Sequence, residues 1–203
     1  MPEPAQAPTE ALLLIDLQRD YFADPELERC RGDLVATCNE LVRVAREVGV
    51  PVIEVQTVHE PDGSTWTLTM HEDGQGVAER GTEGVQRVEG LEPGGAEVVE
   101  KTRDSAFFET DLADRLRRAG IDHVVLCGVS TESCIAATAR DAFALDLGAT
   151  LVSDATASVD WSEHDHTLSM LQTQHRQEVL TGAEVVRRWR DEAEEAEDDR
   201  AAG

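Results

Sequence analysis

What the chain has least of is lysine. Lys101 is the single lysine among 18 basic residues, against 42 acidic ones, and the formal net charge is −24 over 203 residues. That balance excludes nucleic acid and anionic membrane surfaces as partners, since both need basic patches. Cysteine is scarce too. The four, Cys30, Cys38, Cys127 and Cys134, form no C-x-x-C pair and no zinc-ligand spacing. A disulfide scaffold is thereby excluded, and a reducing, cytoplasmic setting is the better reading. No apolar run approaches the length of a membrane span. The opening MPEPAQAPTE lacks the apolar core of a signal peptide, so residues 1–10 are expected to be a disordered lead-in.

One domain is the simplest organisation for this length, expected over residues 11–190. The remainder, 191–203, is a charge run (DEAEEAEDDRAAG) expected to fray into solvent as an acidic tail. Abundant carboxylate with almost no lysine suits a high-salt, halophilic cytoplasm, where self-repulsion is screened over about 3 Å at molar salt. Arginine-for-lysine replacement in a GC-rich genome would leave the same composition.

Hydrophobic patterning alternates between two periods. Continuous apolar or β-branched runs at 11–15 (ALLLI), 50–55 (VPVIEV), 98–99, 123–127, 149–152 and 178–180 read as strands. Between them lie helical stripes at 33–48, 110–119, from Cys134 to Gly148, from Ser162, and from Thr181 onward. Ser162-x-x-Asp165 and Thr181-x-x-Glu184 have the spacing of capping boxes. Cys38 falls on the apolar stripe of the 33–48 helix, and Cys30 lies in the loop before it. A long excursion, 58–96, is rich in Gly, Glu and Asp and is expected to be a lid, a pocket wall or an oligomer contact. The pattern predicts a three-layer α/β/α fold with a doubly wound, mainly parallel six-stranded sheet. Ligands of such sheets bind outside the carboxyl ends of the strands.

Three chemically able residues fall at those ends. Asp16 follows the ALLLI run, and the lone Lys101 closes the 98–99 strand. Cys134 sits on a strand-turn-helix corner within HVVLCGVSTESCIAATARDAF, where Gly128 breaks the strand and Thr131 is placed to cap the helix. That helix would turn Ile135, Ala139, Ala142 and Phe143 inward. Free N–H groups at a helix start, together with a nearby ammonium, are expected to favour a thiolate. Taken singly, Cys134 also suits a small buried hydrophobe, Asp16 a loop-fixing carboxylate and Lys101 a solvated lysine. Together they supply a nucleophile, a proton carrier and a charge partner for acyl transfer.

The blocks LLLIDLQRDYF, VVEKTRDSAFFETDL and VVLCGVSTESCIAATARDAFALDLGATLVSDATAS resemble the isochorismatase-like cysteine hydrolases, which include nicotinamidases and N-carbamoyl amidases. The likeness runs from about residue 11 to 186. It implies an isochorismatase-like fold and a catalytic triad of Asp16 (base and acid), Lys101 (electrostatic partner) and Cys134 (nucleophile). It also implies a cis peptide at Val129–Ser130, with an oxyanion hole from the N–H groups of Ser130 and Cys134. The implied reaction is hydrolysis of a small amide or ureido C–N bond, without cofactor, in a homo-oligomer (dimer or tetramer). Tyr21 matches a family position that packs on the substrate, and Val129, in the cis-peptide turn, is expected to bind substrate as well. Trp66, in the excursion, is expected to line the pocket or an inter-subunit contact.

Two departures narrow the activity. Nicotinamidases carry an Asp-x-His that binds a metal, whereas this chain has Thr57-Val58-His59. His59 and His71 remain, and His164 and His166 make a poor chelate at their spacing, so no catalytic metal is expected. Isochorismatases that cleave a vinyl ether generally lack the nucleophilic cysteine, which Cys134 supplies. The alternatives are an ether hydrolase using Asp16 as acid, a nicotinamidase with an atypical metal site, and a non-catalytic scaffold.

Overall fold

The computed structural model describes residues 10–202, with side chains to residue 198. The expected lead-in therefore lies outside the described residues, apart from Glu10, which belongs to the first strand. In order the chain forms β1 (Glu10–Ile15), α1 (Pro25–Val48), β2 (Val52–Thr57), α2 (Leu68–Asp73), β3 (Glu97–Lys101), α3 (Leu112–Ala119) and β4 (His123–Val129). Then come α4 (Ala136–Ala144), β5 (Gly148–Ala157), α5 (Trp161–His175), β6 (Glu178–Leu180) and α6 (Gly182–Ala202). The strands make one sheet in the order β3-β2-β1-β4-β5-β6, parallel at every pairing. This is the doubly wound fold that the alternating periods predict.

The two-residue period of β1 sorts the core into two layers. Leu12 and Leu14 pack with Cys38, Leu41, Val185 and Trp189 under α1 and α6. Ala11, Leu13 and Ile15 face the opposite side, with Leu112, Leu116, Ala139 and Leu171 under α3, α4 and α5. Each fully buried leucine contributes about 1.5–3 kcal/mol. The sheet is thus anchored from both faces, and its carboxyl rim is held where the chemistry-bearing residues emerge.

Several element boundaries differ from the sequence expectation, each for a local reason. Helix α1 starts at Pro25, not near Asp33, because Asp24 caps it by accepting from Glu26 N–H at 2.8 Å with proline next in line. Cys30 therefore lies on the helix, where its thiol donates to the Leu27 carbonyl at 3.3 Å. The start of α5 is capped by Asp160, whose carboxylate accepts from Ser162 and Glu163 N–H, so the expected Ser162 box is not what begins it. The Thr181–Glu184 box is present in both directions, at 2.8 and 3.3 Å. Phe143 is exposed and stacks on His175 at 4.7 Å instead of facing the core. The acidic tail continues α6 to Ala202, as the high helix propensity of its Ala and Glu residues allows. Among the described residues no helix is long and apolar enough to cross a membrane.

Candidate active site

The rim is shaped by one glycine. At Gly128, φ is +124°, and a Cβ there would lie 1.9 Å from the Ile15 carbonyl oxygen. Only glycine lets β4 pass so close to the end of β1. The next residue, Asp16, takes the left-handed conformation (φ 53°), which Asp tolerates better than most residues, and its carboxylate is fully buried.

Three donors converge on that carboxylate. Thr57, at the tip of β2, gives its N–H and its hydroxyl to Oδ1, both at 2.9 Å. Lys101, at the tip of β3, gives Nζ–H to Oδ2 at 2.7 Å and to the Thr57 hydroxyl at 2.7 Å. Gln18 ties the ends together by donating to the Thr57 and Val85 carbonyls at 2.8 and 3.0 Å. Sequence reasoning missed Thr57 because a threonine ending a strand looks like any β-branched strand residue. The only signal was its place at the rim, two residues beyond where β2 was expected to stop.

Cys134 arrives from β4. The Val129–Ser130 peptide is cis, and residues 131–135 form a single π turn in which Ile135 N–H bonds the Ser130 carbonyl at 3.2 Å. Thr131 does not cap this turn; its hydroxyl pairs with His164 Nδ1 at 2.8 Å. The Cys134 sulfur lies 3.5 Å from Lys101 Nζ and 3.8 Å from the Ser133 hydroxyl. Asp16, Lys101 and Cys134, which are 85 and 33 residues apart in turn, are thus brought together with Lys101 touching both of the others.

The electrostatics correct one expectation. Burial, and then the Asp16 carboxylate, push the Cys134 thiol well above its usual range, and Lys101 pulls only partly the other way. A helix start and an ammonium do not outweigh a dry site that already holds a carboxylate. The balance of these pulls favours the thiol, with Lys101 opposing it. Lys101 loses by burial but gains more from Asp16 and Cys134, so its ammonium is held above its ordinary range. Tyr21 is raised by burial, Asp16 and Cys134, and stays a neutral phenol.

The sulfur opens on a cavity of about 340 Å³ lined by Tyr21, Thr57, His59, Arg103, Asp104, Ser133 and Cys134. The excursion supplies the facing wall through Thr67, Thr69, Met70, Asp73, Gln75 and Val77, around the short helix α2. Neither Trp66 nor Val129 is part of this lining. Trp66 packs inside the excursion, its ring 5.5 Å from that of His71, and Val129 is buried in the core beneath α1.

The residues here do not fit the metal that the resemblance to nicotinamidases implies. Thr57 replaces the aspartate of that Asp-x-His pattern, and its hydroxyl is committed to Asp16 and Lys101. His59 is buried, with Nδ1 bonded to the Thr65 carbonyl, while His71 is exposed. Among the described residues no three His, Cys, Asp or Glu side chains group as metal ligands.

A buried Asp–Lys–Cys cluster thus sits over a small cavity at the carboxyl rim of a parallel α/β sheet, and known proteins share this architecture. The isochorismatase domain model matches residues 10–185, so the chain belongs to the isochorismatase family. A probable inactive nicotinamidase of Arabidopsis thaliana is 34% identical over 171 residues, covering 79% of this chain and 86% of that protein. The crystal structure of a cysteine hydrolase from Pseudomonas syringae superposes with a TM-score of 0.82 at 26% identity, covering 94% of this chain and 99% of that one. N-carbamoylsarcosine amidase from Thermoplasma acidophilum superposes with a TM-score of 0.72 at 27% identity, covering 86% and 96%.

Proposed function

We propose that this chain is a cysteine amidohydrolase that cleaves a small amide or ureido C–N bond through a thioester. One observation carries the reading. The Cys134 sulfur, the Lys101 ammonium and the Asp16 carboxylate meet in a buried cluster on the wall of a cavity. At about 340 Å³ that cavity is at the small end of ligand pockets, which run from about 300 to 1,000 Å³. The amidase and cysteine hydrolase among its relatives support the same chemistry.

In the proposed sequence, Asp16 takes the thiol proton as the sulfur attacks the carbonyl carbon. The N–H groups of Ser130 and Cys134 hold the oxyanion that forms, and Lys101 balances the charge moving between sulfur and carboxylate. Asp16 then returns the proton to the leaving nitrogen, the C–N bond breaks, and ammonia or an amine departs. Water, deprotonated by Asp16, attacks the thioester, and the sulfur leaves and recovers its proton. The raised thiol suits this order, because the proton has a designated acceptor and need not be lost beforehand.

A panel of primary amides and ureido compounds assayed for ammonia release tests the proposal. Turnover by the wild type, and none by Cys134→Ala, is the expected result. A second reading takes up the name of the isochorismatase domain that the chain matches: ether hydrolysis with Asp16 as the acid. Turnover of a vinyl ether by Cys134→Ala would select it. A folded wild type inert to both panels would leave a non-catalytic scaffold, as the relative described as inactive invites one to check.

A further inference from the structure

His59 lines the cavity beside the cluster but takes no part in the proposed bond cleavage. Its backbone is locked on both sides, the N–H to the Ala78 carbonyl at 3.0 Å and the carbonyl to Arg80 N–H at 2.8 Å. Its ring is locked as well. Nδ1 lies 3.0 Å from the Thr65 carbonyl and 3.3 Å from the Thr65 hydroxyl. A carbonyl can only accept, so Nδ1 must carry the proton. The Thr65 carbonyl also accepts from Arg103 at 2.8 Å, which holds a guanidinium close by. Burial disfavours the doubly protonated ring, as do Arg103 and Lys101, and the Thr65 bond and Asp16 offset this only in part. Nε2 is therefore a bare lone pair, and the ring's hydrogen bonds among the described residues are all made at Nδ1.

An acceptor open to the cavity, and not sealed inside the protein, is free to take a donor from the ligand in place of water. We propose that His59 is a specificity-determining residue that reads an N–H of the substrate through Nε2. The substrate class is then a primary amide or a ureido compound with hydrogen on the nitrogen facing His59, and fully N-alkylated analogues are rejected. An unpaired buried acceptor would raise the cost of binding such analogues. The inference rests on the proposed function only in taking this cavity as the substrate site.

The test is ¹⁵N NMR at pH 7 on histidine-labelled Cys134→Ala protein, which binds without turning over. His59→Gln identifies the His59 signals among the six histidines. Expected is an Nδ1-protonated ring whose Nε2 signal moves saturably upfield with acetamide and not with N,N-dimethylacetamide at the same concentration. The other five histidines should stay in place, which reports an intact fold. An Nε2-protonated ring, an equal response to both amides, or no response to acetamide would overturn the assignment. So would displacement of the His59 signals by one equivalent of zinc. If Cys134 proves inert toward every amide while acetamide still moves Nε2, the proposed reaction fails and the reading of His59 stands. If turnover is found and Nε2 does not respond, the reverse holds.

Discussion

The two ends of β1 each bury a carboxylate, and they use it differently. At the amino end, Glu10 accepts from Trp189 Nε1 and from Arg188 at 2.8 and 2.9 Å. Arg188 continues to Glu178 at 2.7 Å, and Thr150 joins Glu178 at 3.0 Å and His123 at 2.8 Å. Both carboxylate oxygens there are satisfied, and the network fastens α6 to the sheet. At the carboxyl end, Asp16 is equally well bonded, but one of its donors also touches a thiol that opens on a cavity. A buried ion pair alone therefore says little about chemistry. What sets the carboxyl-end pair apart is a thiol in reach and room for a ligand.

Breaking each end in turn sharpens this contrast. The largest effect should come from Cys134→Ala, expected to lower turnover by at least about 10³-fold while leaving the thermal midpoint nearly unchanged. Glu10→Ala should do the opposite. Stripping the partner from Trp189 and one partner from Arg188 should cost about 2–3 kcal/mol by denaturant unfolding, with activity per folded molecule within about twofold. Thr57→Val keeps the shape of the strand tip but removes the hydroxyl shared by Asp16 and Lys101. A fall of about 10–100-fold in kcat and a loss of about 1–2 kcal/mol are expected from kinetics and unfolding together.

A smaller, pH-dependent effect spans both ends. His59, His123 and His164 are all held below their ordinary value of 6.5, chiefly by burial. The unfolded chain then binds protons that the folded chain refuses. Stability should be full above about pH 6.5 and fall as the pH drops below it, in urea titrations between pH 7 and 5. The smallest effect on the buried clusters should come from salt, which screens the exposed carboxylates and not the dry pairs. We expect molar KCl to raise the unfolding midpoint, consistent with a net charge of −24, and to leave the pH profile of turnover unshifted.

Much of this was legible beforehand, for physical reasons. The fold shows in the alternation of buried runs and helical stripes, because a sheet covered on both faces leaves no other pattern. Asp16 and Cys134 stand out as polar residues where apolar runs end. Lys101 stands out because the chain has no other lysine. Thr57 and the upward push on the Cys134 thiol could not be read, since both depend on which strand tips become neighbours. The same holds for Trp66, whose place inside the excursion follows from how 58–96 folds back on itself rather than from local pattern. The Glu10 network joins residues nearly the whole chain apart and leaves no local trace.

If hydrolysis runs through a thioester, the sulfur at this rim becomes covalently acylated during turnover. Intact-protein and peptide mass spectrometry, on samples acid-quenched during turnover of an active amide, measures that directly. The predicted result is an added acyl mass confined to the peptide containing Cys134 and absent from Cys134→Ala. Steady turnover with no adduct on Cys134, or undiminished turnover by Cys134→Ala, would contradict it.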